Sequence, residues 1–325
     1  MVETTDVFLI TGFLGSGKTT LLNRLLKDFP KDKKLMVLMN EFGEIGIDGS
    51  LLVGEHFDLL EISKGSIFCV CVKTDFIKAL YKLANDVRPD VLVIESTGVA
   101  NPSDLKRDLK LPIFNNRFVF KEQICLLDAA HFLDAYQVFS AVEDQISTST
   151  MFVINKTELV DPQRVQEIKE VIRSYHPQPV FRETSYAGID TKGLFRWSGS
   201  TVTGQGSRPK MTDDQLEQYI DDLLANPGLS LKPPDILISA IFRWDGQGLA
   251  EVDGLAAALP PSVPRVKGFV VDAGDTYLFS YVMGRYDLVK SSPGKLVDNL
   301  LVVIAPPGLM PGVEDIMGQH HFRRA

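Results

Sequence analysis

Gly12-Phe13-Leu14-Gly15-Ser16-Gly17-Lys18-Thr19 is the stretch that decides the fold. It matches the spacing G-x-x-x-x-G-K-[ST]. Before it, Val7-Phe8-Leu9-Ile10 reads as a strand. After it, residues 19–28 read as a helix with Leu21, Leu22, Leu25 and Leu26 along one face. A glycine loop between strand and helix lets backbone N–H groups converge on phosphate oxygens with no Cβ in the way. The helix N-terminus adds positive potential. Gly12, Gly15, Ser16 and Gly17 are therefore candidate phosphate contacts. Lys18 is expected to reach the β- and γ-phosphates, and Thr19 to ligate Mg²⁺.

Outward from this loop, residues 35–39, 91–94, 123–127 and 151–154 are apolar runs apart from Gln123, as expected of strands covered on both faces. Residues 162–174 read as a helix and 179–181 as a strand. Strands alternating with helical stretches predict an α/β P-loop NTPase fold, its mostly parallel sheet flanked by helices. Residues 198–210 lose nearly all apolar content and read as a linker, and a capped acidic helix with a solvated face follows from Thr212. From residue 235 a second strand pattern begins, with strands near 268–271, 277–281 and 300–304 and a helix near 252–258. The expected division is a nucleotide-binding domain over 1–197, a linker and helix over 198–234, and a small α+β domain over 235–325.

Two further motifs bear on nucleotide chemistry. In Val91-Leu92-Val93-Ile94-Glu95-Ser96-Thr97-Gly98, Glu95 ends a buried strand beside the phosphate loop. It is a candidate to hold a Mg²⁺-bound water or to orient the attacking water, with the Gly98 N–H sensing the γ-phosphate. Asn155-Lys156-Thr157-Glu158 follows the strand at 151–154. Guanine selection in P-loop GTPases uses N-K-x-D, whose carboxylate accepts from guanine N1 and N2. Glu158 keeps the charge on a longer arm, which predicts a guanine preference. Thr184-Ser185-Tyr186-Ala187 is the expected place of a backbone contact to the base.

Composition narrows the partners. The chain has 325 residues, 34 Lys+Arg against 42 Asp+Glu, and a net charge of -8, which argues against a general nucleic-acid binder. Its apolar runs are strand-sized, far short of the ~20 residues of a spanning helix. The acidic start, Met1-Val2-Glu3-Thr4-Thr5-Asp6, lacks a basic n-region. Three cysteines make a poor disulfide framework and fit a reducing cytoplasm. Cys125 sits in an apolar strand and reads as core. His56, His131 and His176 read as structural or solvated, and His320-His321 as part of a flexible terminus.

These motifs together resemble the CobW family of P-loop GTPases, relatives of the hydrogenase and urease nickel-insertion GTPases. The resemblance runs through residues 12–23, Asn40-Glu41-Phe42-Gly43-Glu44-Ile45-Gly46-Ile47-Asp48, residues 95–102, Leu127-Asp128-Ala129 and residues 155–158. It continues more weakly in Leu259-Pro260 and Arg265-Val266-Lys267-Gly268-Phe269-Val270. It implies that Thr20 belongs to the nucleotide site, that residues 40–48 form a switch region with Glu41 and Asp48 as metal-facing carboxylates, and that the second domain is the family's C-terminal domain. It also implies GTP binding, slow Mg²⁺-dependent hydrolysis, and delivery of a metal or metal cofactor to a client metalloprotein.

The family usually carries Gly-Cys-x-Cys-Cys after the switch. This chain reads Gly65-Ser66-Ile67-Phe68-Cys69-Val70-Cys71, so Ser66 and Phe68 stand where two thiolates are usual. Cys69 and Cys71 remain as candidate ligands for an ion such as Zn²⁺, Co²⁺ or Ni²⁺, although a closed tetrahedral site needs four ligands. Were 69–71 a strand, both thiols would share one face, which suits chelation and core packing equally. The alternative is a GTP-dependent regulator of a partner enzyme, one carrying a corrinoid for example, with structural cysteines. A phosphotransferase would need a lid of arginines, and the sequence offers no such cluster. Oligomeric state is left open.

Overall fold

The computed structural model describes residues 2–41, 57–63, 70–96, 102–194, 201–202, 210–225, 237–291 and 299–325. The described residues divide into two compact units, one within 2–225 and one within 237–325. No helix among the described residues is long and apolar enough to cross a membrane.

The first unit is built on seven parallel strands: β1 (Thr5–Thr11), β2 (Leu35–Glu41), β3 (Phe57–Ser63), β4 (Val91–Glu95), β5 (Phe118–Asp128), β6 (Met151–Asn155) and β7 (Val180–Glu183). Their order is β3-β2-β4-β1-β5-β6-β7, and every pairing is parallel. β1, β4 and β6 are buried along their whole length, as the apolar runs at their centres require. β1 lies between β4 and β5, so the chain leaves it toward one side of the sheet and returns on the other. The crevice outside the carboxyl ends of such strands is where open α/β sheets bind ligands. Register places Glu95 of β4 beside Ile10, and Asp128 of β5 beside Asn155 of β6.

The helices follow from local sequence. α1 (Lys18–Asp28) buries Leu21, Leu22 and Leu25, and the chain turns extended at Phe29, ahead of Pro30. α2 (Val70–Lys82) and α3 (Pro102–Asp108) face the same core through Phe76, Ile77, Leu80 and Leu105. α4 (Phe132–Val138) and α5 (Ser140–Thr148) follow β5. α6 (Pro162–Tyr175) starts with Pro162 behind Asp161, whose side chain accepts the Arg164 N–H at 2.9 Å.

α7 (Asp213–Leu224) is the expected acidic helix, capped reciprocally by Thr212 and Gln215. It is more than a solvated face. Leu216 and Ile220 join the core of the first unit with Phe76 and Leu80, so the helix set apart with the linker packs as part of the first unit. Of the expected linker, Thr201–Val202 pairs antiparallel with Val2–Glu3, and residues 198–200 and 203–209 lie outside the described residues.

The second unit is an antiparallel sheet of six strands: β8 (Ile238–Trp244), β9 (Arg265–Asp272), β10 (Asp275–Val282), β11 (Arg285–Lys290), β12 (Leu300–Ala305) and β13 (Phe322–Arg324). Their order is β11-β10-β9-β12-β8-β13. α8 (Leu249–Ala258) and α9 (Met310–Gln319) contribute Val252, Leu255, Val313 and Met317 to one core with Phe242, Phe279 and Leu301. At Gly268 a Cβ would stand 1.9 Å from the Leu300 carbonyl oxygen, so only glycine lets β9 and β12 approach here. The flexible-terminus expectation for the end of the chain is overturned. Residues 322–324 pair with β8, and Phe322 is buried and stacked on Trp244. The turn through His320 and His321 feeds this edge strand.

Candidate nucleotide site

The phosphate loop leaves β1 at Thr11 and enters α1 at Lys18. Gly12, Gly15 and Gly17 have φ of 139°, 77° and 105°, a region that L side chains rarely adopt. A Cβ at Gly12 would lie 2.2 Å from the Leu126 carbonyl oxygen and 2.8 Å from Ser16 Oγ; one at Gly17 would lie 2.5 Å from Asn155 Nδ2. The loop is thus a bare backbone cradle pressed against β5 and β6. Ser16 Oγ and Thr11 Oγ1 are buried and have no hydrogen-bond partner among the described residues. Lys18 Nζ donates to the carbonyls of Gly12 at 2.8 Å and Phe13 at 3.2 Å, spanning the loop it serves. The Phe13 ring packs 4.8 Å from Phe139, the residue between α4 and α5. Thr20 lies on the exposed side of the first turn of α1.

Thr19 Oγ1 donates to Glu95 Oε1 at 3.3 Å. Glu95 is 5% exposed at the end of β4, so its carboxylate meets the loop from the neighbouring strand. A hydroxyl and a carboxylate beside a phosphate cradle are hard oxygen donors, the set that suits Mg²⁺. Ser96 follows with its Oγ donating to the Ile10 carbonyl at 3.3 Å. Gly98 lies outside the described residues.

Asn155 ties the two halves of the site together. Its Nδ2 donates to the Ser16 carbonyl at 2.9 Å, and its Oδ1 accepts the Ala187 N–H at 2.8 Å. The amide at Ala187, one of the backbone groups expected to face a base, is therefore engaged by Asn155. Thr157 anchors the same segment from the other side, its N–H and Oγ1 both donating to the Thr184 carbonyl. Arg24 of α1 donates from Nε to the Tyr186 carbonyl at 2.9 Å. Tyr186 and Ala187 both have positive φ, and the Tyr186 side chain is 72% exposed. Lys156 takes a left-handed conformation, and Glu158 is exposed on the short turn Thr157–Leu159.

A feature absent from the site expected from sequence stands beside this turn. Asp128 is 6% exposed. Its Oδ1 accepts the Ala130 N–H at 3.0 Å, and its Oδ2 lies 2.8 Å from Lys156 Nζ and 3.1 Å from His131 Nδ1. Burial pushes this carboxyl up, but His131 and Lys156 outweigh it and hold it at about 2. The sequence signal was available: Asp128 and His131 are three residues apart, and a carboxylate ends an apolar strand just as Glu95 does.

The expected metal motif is only partly visible. Cys71 belongs to α2, which starts at Val70, so the strand considered over 69–71 is not formed at Val70 and Cys71. Cys69 and Asp48 lie outside the described residues, and Glu41 ends β2 with its side chain outside them. Among the described residues, no group of three or more His, Cys, Asp or Glu side chains is placed to hold a metal. Cys125 is core, and burial pushes its thiol up to about 12. His176 Nε2 lies 2.6 Å from the Ile146 carbonyl oxygen, and His176 serves as packing beside Phe152.

Residues 6–182 match the sequence model described as CobW/HypB/UreG, nucleotide-binding domain. The chain is 36% identical over 162 residues to the zinc chaperone YeiR of Escherichia coli (strain K12), covering 50% of this chain and 49% of that one. It is 30% identical over 195 residues to the zinc chaperone CobW of Sinorhizobium sp, covering 51% and 54%. The chain thus matches about half the length of these curated relatives. The Zn(II)-bound YjiA GTPase from E. coli aligns over 98% of this chain and 99% of its own, with 20% identity and a TM-score of 0.46.

Proposed function

Since the chain belongs to the CobW/HypB/UreG family, whose nucleotide-binding domain spans residues 6–182, we propose that it is a slow, Mg²⁺-dependent GTPase. Its nucleotide state would drive delivery of a metal ion or metal cofactor to a client protein in the cytoplasm. The observation that carries the nucleotide part of this reading is the pair of hydrogen bonds made by Asn155, which joins the phosphate loop at Ser16 to the base-side loop at Ala187. One side chain aligns both ends of a nucleoside triphosphate site.

The roles follow from position. Gly12, Gly15, Ser16 and Gly17 offer backbone N–H groups to the phosphates. Lys18 moves its ammonium from the Gly12 and Phe13 carbonyls to the β- and γ-phosphate oxygens. Thr19 and Glu95, the latter directly or through water, would hold Mg²⁺, which neutralises charge developing on the phosphate oxygens. Glu95 also orients the attacking water, Gly98 senses the γ-phosphate, and Thr20 flanks the phosphates. Lys156 lines the base and Glu158 accepts from its N1 and N2 donors. Residues 40–48 act as the switch, ordered by the γ-phosphate and released on hydrolysis. The metal is cargo, held by Cys69 and Cys71 with Glu41 and Asp48 as additional donors. Zn²⁺ is favoured by the similarity to YeiR and CobW, with Co²⁺ and Ni²⁺ the competing ions.

Turnover without a partner should be slow, on the order of 10⁻⁴ to 10⁻² s⁻¹ as in related switches. The replacement of two family cysteines by Ser66 and Phe68 favours a second reading, a GTP-dependent regulator that carries no metal. Calorimetry with GTP and ATP, with and without Mg²⁺, on the parent and on Lys18→Ala tests the nucleotide site. Tight Mg²⁺-dependent GTP binding lost in Lys18→Ala is expected; no binding by the folded parent would overturn the proposal. Equilibrium dialysis with Zn²⁺, Co²⁺ and Ni²⁺ on the parent and on Cys69→Ser/Cys71→Ser decides the cargo. Absence of thiol-dependent stoichiometric binding leaves the regulator.

A further inference from the structure

Lys156 and Glu158 stand two residues apart on one short turn, a cation beside the carboxylate that is to read the base. An ammonium that paired with Glu158 would neutralise it and occupy its acceptor oxygens. Lys156 does not pair with Glu158; its Nζ is held by Asp128 at 2.8 Å. Glu158 is exposed and has no ion-pair partner among the described residues. Asp128 is placed for this by register, paired with Asn155 across the ends of β5 and β6. Its own orientation is fixed by the Ala130 N–H and by His131, which packs buried against it.

We infer that Asp128 is a specificity-determining positioning residue: it draws the Lys156 ammonium away from Glu158 and so reserves the Glu158 carboxylate for the N1–H and exocyclic amine of guanine. The inference rests on the GTP reading above and deepens it. Discrimination rests on hydrogen bonds, since an analogue lacking a donor leaves the Glu158 acceptor with one partner fewer. Inosine triphosphate lacks only the exocyclic amine, so the ratio of GTP to ITP affinity reports how fully Glu158 is engaged.

The test measures Kd for GTP, ITP and ATP by calorimetry on the parent, Asp128→Asn, Lys156→Met and the double variant, with thermal melts on each. In Asp128→Asn the GTP-to-ITP ratio should fall about ten-fold, the scale of one hydrogen bond to a charged group, with ATP binding moving little. Lys156→Met keeps the stem and removes the ammonium. It should weaken all three nucleotides together while preserving the ratio, and in that background Asp128→Asn should no longer change it. A uniform loss for all three nucleotides in Asp128→Asn overturns the inference. So does a ratio that collapses in Lys156→Met, a variant that remains informative if Asp128→Asn folds poorly. A parent that binds GTP through Lys18 but shows an unchanged ratio in Asp128→Asn refutes the inference alone, whereas a folded parent that binds no nucleotide refutes both readings.

Discussion

Asn155 donates to the carbonyl of Ser16 at 2.9 Å across 139 positions of sequence. The bond fastens the end of β6 to the phosphate loop, and the same side chain accepts from Ala187. Asn155→Ala removes a donor and an acceptor at a residue that is 2% exposed, at a cost of about 1–3 kcal/mol for the groups left unmatched. Nucleotide affinity should fall with it, because both loops lose their common reference. Chemical unfolding and calorimetry on this one variant check the two effects; full affinity in Asn155→Ala would contradict the alignment role.

Asp128 gives an acid-stability signature. Its folded-state value of about 2 lies below the ordinary 3.8. Stability from this group is therefore complete above the unfolded value, near pH 4, and is lost as pH falls toward 2. The contribution at neutral pH is about 2 kcal/mol. Unfolding free energies measured from pH 7 to pH 2 should fall less steeply in Asp128→Asn than in the parent. Parallel curves would show that the carboxylate is not held as the geometry implies.

Lys73 and Asp108 form an ion pair at 3.1 Å with both side chains 5% exposed, joining the first turn of α2 to the end of α3. Burial pushes the Asp108 carboxyl up more than Lys73 pulls it down. Such a pair contributes little net stability, yet breaking it strands a charge. Lys73→Met should cost about 3–5 kcal/mol, whereas Lys73→Met/Asp108→Leu should be near neutral or stabilising. Urea unfolding of the single and double variants supplies the thermodynamic cycle. A double variant as unstable as Lys73→Met would sink this reading.

Phe322 carries the edge strand at the end of the chain. It is 1% exposed and stacks on Trp244 at 6.1 Å. Phe322→Ala should destabilise the second unit by about 3–5 kcal/mol. Tryptophan fluorescence would follow the loss at Trp244, and hydrogen exchange along β8 would show whether β13 remains paired.

The phosphate loop, Glu95 and Asn155 were legible because their motifs encode backbone conformations and strand ends that leave little choice. The second unit was legible in its longest apolar strands. The segment 57–63 was not: Asp58 and Glu61 interrupt its apolar pattern, and it becomes β3 by pairing with β2 at the edge of the sheet. Val70-Cys71-Val72 invites a strand reading from its β-branched residues. The helical spacing of Phe76, Ile77, Leu80 and Tyr81 overrides it, since all four face one core. The ordered end of the chain was missed because a three-residue strand carries no pattern of its own and acquires its identity from β8. The Asp128–Lys156 contact joins two motifs that read separately, and only sheet register brings them together.

The burial of Cys125 has a practical corollary. Enclosed on all sides with its thiol pushed up to about 12, it stays protonated and unreactive toward alkylating reagents at neutral pH. The chain has two other cysteines. Maleimide labelling of the native protein, counted by intact mass, therefore reads Cys69 and Cys71 without a spectator, and protection from the label by added ion or nucleotide becomes a direct gauge of what those two sulfurs are doing.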